Sequence, residues 1–188
     1  RSRDVERAAQ VDVDHRVEVH RDRAFAAFAS GGMDGARNLV TDALAELYQR
    51  ALKRHLIADV PLGLLLSGGV DSGLLLGLMG EHGKDWPTYT VGYGSAAFKD
   101  DELGDAARTA RMFGSRHAEV QLSRDAFERA LPRIVSIVEE PIAASSIVPM
   151  YYVCERARQD VKVALVGQGP DELFGGYTRH LGVQYGAQ

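Results

Sequence analysis

The chain has 188 residues, 45% hydrophobic and 26% charged, a balance typical of a folded globular domain and not of a disordered chain. The formal net charge is −4 at pH 7 without any block of lysine or arginine, which argues against a nucleic-acid partner. A single cysteine, Cys154, excludes an internal disulfide, and no apolar run approaches the roughly 20 residues that span a bilayer, so we expect a cytoplasmic protein without a membrane partner.

The N-terminal third contains one clear element. Residues 1–33 are weakly patterned, and we interpret them as a connector. From Asp34 as far as Leu52, apolar residues recur at i, i+3 and i+4 spacing. This spacing predicts an amphipathic helix that leads into the central part of the chain.

A buried strand, a glycine loop and a helix follow. The apolar run Val60–Leu66 lacks alternation, which is typical of a strand covered on both faces of a parallel sheet. It ends at S-G-G-V-D-S, residues 67–72, and the apolar run Leu74–Met79 that follows has helical length. Gly68 and Gly69 permit a positive φ and a close approach of the backbone to a ligand. Backbone N–H groups and a helix N-terminus then converge, which predicts an anion site, although a bare S-G-G also suits an ordinary turn.

Three more strands are predicted downstream. They are Thr88–Gly92, Arg116–Val120 and Val161–Val166. Because these strands alternate with helical segments, we predict an α/β fold with a parallel sheet and helices on both faces. Ligands of such sheets bind at the carboxyl ends of the strands, near a switch in strand order.

The intervening helices carry recognisable end signals. The acidic run 100–102 opens one helix, which Gly114 ends. Ser123 is a candidate cap for the next helix, in which Pro132 is a potential interruption. Ser146 is the candidate cap of the third.

Two motifs resemble one family. The loop 67–72 resembles the pyrophosphate loop of the ATP pyrophosphatases, and it lacks the lysine of a Walker loop. Residues 166–177, V-G-Q-G-P-D-E-L-F-G-G-Y, are similar to the S-G-E-G-x-D-E-L-F-G-G-Y motif of class B asparagine synthetases, whose relatives include β-lactam synthetase. The resemblance covers roughly residues 37–177. It implies a PP-loop ATP pyrophosphatase fold in residues 34–188, incomplete at its C-terminus.

The resemblance also implies a reaction. A ligase of this family uses ATP and Mg²⁺ to activate a carboxylate, aspartate in the ancestral case, as an acyl adenylate with release of pyrophosphate. Ammonia or another amine then attacks. The implied partners are a small-molecule acid and amine, an N-terminal glutaminase domain in the full-length protein, and a second copy in a candidate homodimer. Because the glutaminase domain and a lysine-bearing C-terminal region lie outside these 188 residues, we expect the isolated fragment to be inactive.

Site residues are carried over from the two motifs. Asp71 and Asp171 match the family's Mg²⁺ ligands, and Gln168 and Asp171 match its catalytic positions. Gln168 replaces a glutamate, and its amide orients substrates without acting as a base. Ala144 stands where the family often has an aspartate. The positions implied to bind ATP and pyrophosphate are Leu65, Ser67, Gly68, Gly69, Val70, Asp71, Ser72, Val91 and Gly167.

Two alternatives remain open at this level. One is a PP-loop enzyme that modifies tRNA, for which Cys154 is a poor candidate thiol. The other is a nucleotide-binding remnant without catalysis. Gln168 and Ala144 favour the remnant, whereas the presence of both Asp71 and Asp171 argues against it.

Overall fold

The computed structural model describes residues 41–93, 102–141, 144, 146–169, 171 and 177. These residues belong to two compact units, which divide between Arg54 and His55. Helix α1 (residues 41–55) confirms the predicted amphipathic helix. Its predicted start at Asp34 and the predicted connector 1–33 lie outside the described residues. No helix in the described part of the chain is long and apolar enough to cross a membrane.

Strands alternate with helices through the second unit, except that α4 is followed directly by α5. In chain order the elements are β1 (Leu62–Leu65), α2 (Val70–Gly80), β2 (Pro87–Gly92), α3 (Leu103–Met112), β3 (Arg116–Gln121), α4 (Arg124–Val138), α5 (Ile147–Ala157) and β4 (Val163–Val166).

The four strands form one parallel sheet in the order β3-β2-β1-β4. At the carboxyl end of β1, Leu65 pairs with Tyr89 on one side and with Val166 on the other. The chain therefore builds outward from β1 to β3 and then returns to place β4 on the opposite side of β1. This reversal is a topological switch point, where ligands of open α/β sheets bind.

Helices cover both faces of the sheet. Successive strand residues point to opposite sides, so neighbouring residues of β2 contact different helices. On one side, Tyr89 packs against Val153 and Ala157 of α5. On the other, the buried Thr88 has its hydroxyl 3.1 Å from the Ser115 hydroxyl at the end of α3, and α2 and α3 contact β1 and β2. The predicted α/β fold is confirmed.

The strands at the switch point are shorter than predicted. β1 starts after Pro61, whose nitrogen has no hydrogen to give to a ladder. The N–H groups of Lys162 and Val163 both donate to the Pro61 carbonyl, at 3.1 and 3.4 Å, so β4 also begins only at Val163. The proline thus fixes where the paired region begins.

Of three predicted helix signals, the Ser123 cap is confirmed, whereas Pro132 and Ser146 differ from the prediction. The Ser123 hydroxyl accepts a bond from the Ala126 N–H at 3.2 Å, as predicted, and α4 runs through Pro132 without ending. Ser146 is at the N-cap position of α5, as predicted, but it does not cap the helix with its side chain. Ser146 has helical angles, φ −68° and ψ −12°, and its side chain makes no capping bond, whereas capping side chains usually project from extended backbone.

A buried phenol ties β2 to the end of α5. The Tyr89 hydroxyl donates to Asp160 Oδ2 at 3.1 Å, and Arg156 donates to the same oxygen at 2.7 Å. Burial, with the neighbouring Asp160, raises the pKa of Tyr89 to about 12. The hydrogen bond from Arg156 lowers the pKa of Asp160, so this carboxylate stays ionised while it accepts both bonds.

Replacing this phenol tests the link through its pH dependence. Tyr89→Phe should lower the free energy of unfolding by about 1 kcal/mol, because a partly buried hydrogen bond to a charged group is lost. Since folding raises the Tyr89 pKa from 10.0 to about 12, the neutral phenol contributes fully below pH 10 and is lost as pH rises to 12. Urea unfolding curves should therefore show a deficit in the variant that shrinks over this window. A deficit that is constant across it would contradict the assignment.

Candidate functional site

The loop at residues 67–72 is closed by its own two serines. The Ser67 N–H donates to Ser72 Oγ at 3.1 Å, and the two hydroxyl oxygens lie 2.9 Å apart. The Gly69 N–H donates to Ser67 Oγ at 3.1 Å. This bonding holds the loop as a compact bridge from β1 into the first turn of α2.

The role predicted for the loop glycines needs correction. Neither Gly68 nor Gly69 has a positive φ, and Gly69 is extended at φ −80° and ψ 162°. Gly68 is required for close packing instead, because an added Cβ would lie 2.9 Å from the Cβ of Asp105 on α3. Close approach thus explains Gly68, and left-handed geometry does not.

The second motif meets the first through a glycine. A Cβ added at Gly167, directly after β4, would lie 2.8 Å from the nitrogen and 2.9 Å from the Cα of Ser72. Only a residue without a side chain permits this backbone contact. The structure therefore brings together the two loops that the sequence separates by about a hundred residues.

A cavity of about 290 Å³ opens where the loops meet. Its described lining residues are Leu65, Leu66, Ser67, Ser72, Tyr89, Thr90, Val91, Glu102, Met150, Val153, Val166, Gly167, Gln168 and Tyr177. The predicted site positions in this set are Leu65, Ser67, Ser72, Val91, Gly167 and Gln168. The cavity combines an apolar wall from β2 and α5 with hydroxyl and backbone groups of the two loops, as small-molecule sites generally do.

The other predicted residues are not among the described residues that line this cavity. Gly68, Gly69 and Val70 line a separate groove of about 510 Å³ between α2 and α3. Asp71, in the first turn of α2, and Asp171 are half-buried, and neither is among the described residues that line the cavity.

The chemistry of the two aspartates fits Mg²⁺. Within the described residues there is no cluster of three or more His, Cys, Asp or Glu side chains able to hold a metal. Mg²⁺ in nucleotide sites needs only one or two carboxylates, because water and phosphate oxygens complete its shell. Asp71 and Asp171 follow β1 and β4 at the same edge of the sheet, and both supply the hard oxygen donors that this ion prefers.

Two side chains at the site were missed by the sequence analysis. Thr90 is buried, and its hydroxyl donates to the Leu66 carbonyl just before the loop, which secures the strand end. Glu102 accepts from the Gly68 N–H through Oε2 at 3.3 Å. The acidic run 100–102 was interpreted only as a helix start, yet α3 begins at Leu103 and Glu102 reaches the loop. Alternation along β2 was the only sequence signal for Thr90.

The sequence departs from the family pattern at Ala144 and Gln168, and the structure describes both positions. Ala144 is exposed, and its carbonyl accepts from the Ile147 N–H at 3.3 Å at the start of α5. Gln168 lies in the cavity wall. Residues 172–176 of the second motif lie outside the described part of the chain.

Comparisons with known proteins agree with the two motifs. A family model described as Asparagine synthase matches residues 43–185. A Mycobacterium bovis protein named "putative asparagine synthetase, glutamine-hydrolyzing" is 39% identical over 137 residues, which cover 73% of this chain and 21% of that protein. Asparagine synthetase (glutamine-hydrolyzing) 1 of Bacillus subtilis is 36% identical over 124 residues, 66% of this chain and 19% of that protein. This chain thus spans about a fifth of the length of either relative.

One solved structure has a related outline. The NH3-dependent NAD synthetase of Campylobacter jejuni, in complex with nitrate, is similar with a TM-score of 0.47 at 16% identity, over 73% of this chain and 59% of that one.

The family match starts within α1 and extends beyond residue 177, so both loops of the site lie inside it. Over most of its length, and with both of its motifs, the chain belongs to the asparagine synthase family.

Proposed function

We propose that this chain is the ATP-binding part of a ligase that forms an amide from a carboxylic acid and ammonia or another amine. The observation that carries the proposal is the contact of Gly167 with Ser72, which joins the two motif loops at the switch point of the sheet. Family membership supports ATP-dependent amide formation in general. Aspartate is the acid we propose, since the named relatives are asparagine synthetases.

The residues take distinct parts in binding ATP. The β- and γ-phosphates bind to the backbone N–H groups and hydroxyls of Ser67–Ser72, at the N-terminus of α2, where the helix dipole favours anions. The adenosine lies against Leu65, Val91 and Gly167 in the cavity. Asp71 and Asp171 would hold Mg²⁺, which when bound would supply positive charge to offset the charge of the polyphosphate.

We assign two displacement steps to this site. First, a carboxylate oxygen of the acid attacks the α-phosphorus, the bond to the β-phosphate oxygen breaks, and pyrophosphate leaves. Second, the amine attacks the acyl carbon, AMP leaves with the bridging oxygen, and the amine loses a proton. Gln168 cannot accept that proton, because an amide is not a base at neutral pH, so its part is to orient the acid or the amine by hydrogen bonds.

Positioning and electrostatics supply most of the acceleration in this account. The serine hydrogen bonds hold the loop backbone in place, and the Ser67 and Gly69 N–H groups that donate within it exchange these partners for phosphate oxygens. Bringing acid and ATP together in one cavity adds the benefit of proximity.

We propose a further domain for the full-length protein. We propose an N-terminal glutaminase domain that delivers ammonia, because the relatives are named as glutamine-hydrolysing enzymes and are about five times longer than their matched region. The family match disfavours the tRNA-modifying alternative. A remnant without catalysis is the remaining competitor, and product analysis separates it from the ligase.

Product analysis tests the proposal. The full-length protein, given ATP, Mg²⁺, aspartate and ammonia, should release AMP and pyrophosphate in equal amounts together with asparagine. Chromatography of the nucleotides with a coupled pyrophosphate assay measures both products. Release of ADP and phosphate would contradict the site assignment, and absence of any nucleotide cleavage with aspartate would contradict the proposed acid.

A further inference from the structure

A carboxylate lies directly against the phosphate loop. Glu102, at the N-terminal boundary of α3, accepts the Gly68 N–H at 3.3 Å across 34 positions of sequence. The loop backbone is pressed against this turn, because a Cβ added at Gly68 would lie 3.4 Å from the Cβ of Glu102. A loop amide that binds a carboxylate oxygen is by its chemistry also able to bind a phosphate oxygen.

Among the described residues, the cavity lining contains no side chain that offsets this charge. Among its described lining residues, Glu102 is the only one with a charged side chain, and there is no lysine or arginine. Glu102 makes no ion pair with any other described residue. The neighbouring Asp105 differs, since Arg108 lies 3.1 Å from its carboxylate. Within the described residues, a polyphosphate entering the cavity therefore meets a carboxylate with no opposing positive side chain.

We propose that Glu102 makes this loop selective for polyphosphate that already carries a divalent cation. The inference rests on the proposed function, since it assumes that the loop binds the phosphates of ATP. A metal-free polyphosphate places several negative charges near the Glu102 carboxylate, and like charges in contact are strongly unfavourable. Complexation with Mg²⁺ removes two of those charges and reduces the repulsion. Glu102 thus acts on specificity through charge, while its hydrogen bond positions Gly68.

A conservative substitution separates the charge of Glu102 from its hydrogen bond to Gly68. Glu102→Gln removes the charge but keeps a side-chain oxygen that can accept from the Gly68 N–H. Its affinity for pyrophosphate in EDTA should rise about tenfold, whereas affinity in excess Mg²⁺ should change by less than about twofold. Glu102→Ala removes the acceptor as well, so it should lose the same discrimination and bind more weakly than Glu102→Gln in both buffers.

A matched control accounts for the change in net charge. Glu128 on α4 is also an exposed glutamate, its partner is Arg124 at 2.8 Å, and it is not among the described residues that line the cavity. Glu128→Gln should leave the ratio of the two affinities at the wild-type value. Isothermal titration of the full-length proteins with pyrophosphate, in EDTA and in Mg²⁺, measures every ratio.

The possible outcomes distinguish failure of this inference from failure of the proposed function. An unchanged ratio in Glu102→Gln, equal weakening in both buffers, or no binding of metal-free pyrophosphate by this variant would each overturn the inference and leave Glu102 with a structural role. These outcomes do not touch the proposed function as long as the wild type binds Mg-ATP. If the wild type binds neither Mg-ATP nor Mg-pyrophosphate, the proposed function itself fails and the inference fails with it.

Discussion

Gly167→Ala is expected to weaken ATP binding by the full-length protein roughly tenfold to a hundredfold, the equivalent of about 1–3 kcal/mol of overpacking. The added methyl group would lie 2.8 Å from the Ser72 nitrogen and 3.1 Å from the Asp71 carbonyl carbon. These are backbone atoms that cannot rotate away, so β4 or the phosphate loop must shift. The site should therefore lose its geometry while the rest of the sheet remains paired.

Another glycine provides the control for this prediction. Gly104 lies in α3, and a Cβ added there meets nothing within 4 Å. Gly104→Ala should leave ATP affinity unchanged and raise stability by about 0.5–1 kcal/mol, because alanine favours a helix. Titration with Mg-ATP and urea unfolding of both variants separate binding from folding. Normal ATP affinity in Gly167→Ala would show that the two loops do not meet as described.

Asp71→Asn and Asp171→Asn should each weaken Mg-ATP binding by roughly tenfold to a hundredfold, the range typical of perturbed metal sites. The double variant should lose much less than the sum of the two, with a coupling energy of about 1–3 kcal/mol, if both residues hold one ion as proposed. In EDTA the two single effects should shrink together. Neither change should lower the free energy of unfolding by much, since both side chains are only half-buried.

Asp125 supplies the matched control for the aspartate pair. It is the acidic residue in the first turn of α4, as Asp71 is in α2, and it belongs to neither motif loop. Asp125→Asn should not alter Mg-ATP affinity or couple to Asp171→Asn. Strictly additive effects of Asp71→Asn and Asp171→Asn, or effects that persist unchanged in EDTA, would contradict a shared metal.

The fold was predictable because apolar patterning records burial directly. Unalternated runs such as Val60–Leu66 and the spacing of strands and helices were enough to predict a parallel sheet and to place both motifs at strand ends. Strand order was not predictable from the same signals. It depends on β4 pairing with β1. The sequence of a buried parallel strand does not indicate which strand lies next to it.

The site was predictable only where a motif records it. Gly167 was carried over from the resemblance, but the reason for a glycine there became visible only in its contact with Ser72. Glu102 and Thr90 belong to no motif, and their bonds to Gly68 and Leu66 link residues 34 and 24 positions apart. Contacts of this kind follow from tertiary packing, which composition and local periodicity do not encode.

We propose that the two loops form one site where a carboxylate attacks the α-phosphorus of ATP. The most direct test of this proposal uses aspartate labelled with ¹⁸O in the side-chain carboxylate, with ATP, Mg²⁺, ammonia and the full-length protein. The account predicts that each AMP released carries one labelled oxygen, detected by mass spectrometry or by the isotope shift of the phosphorus resonance. Label found in inorganic phosphate, or AMP released without label while asparagine forms, would contradict it.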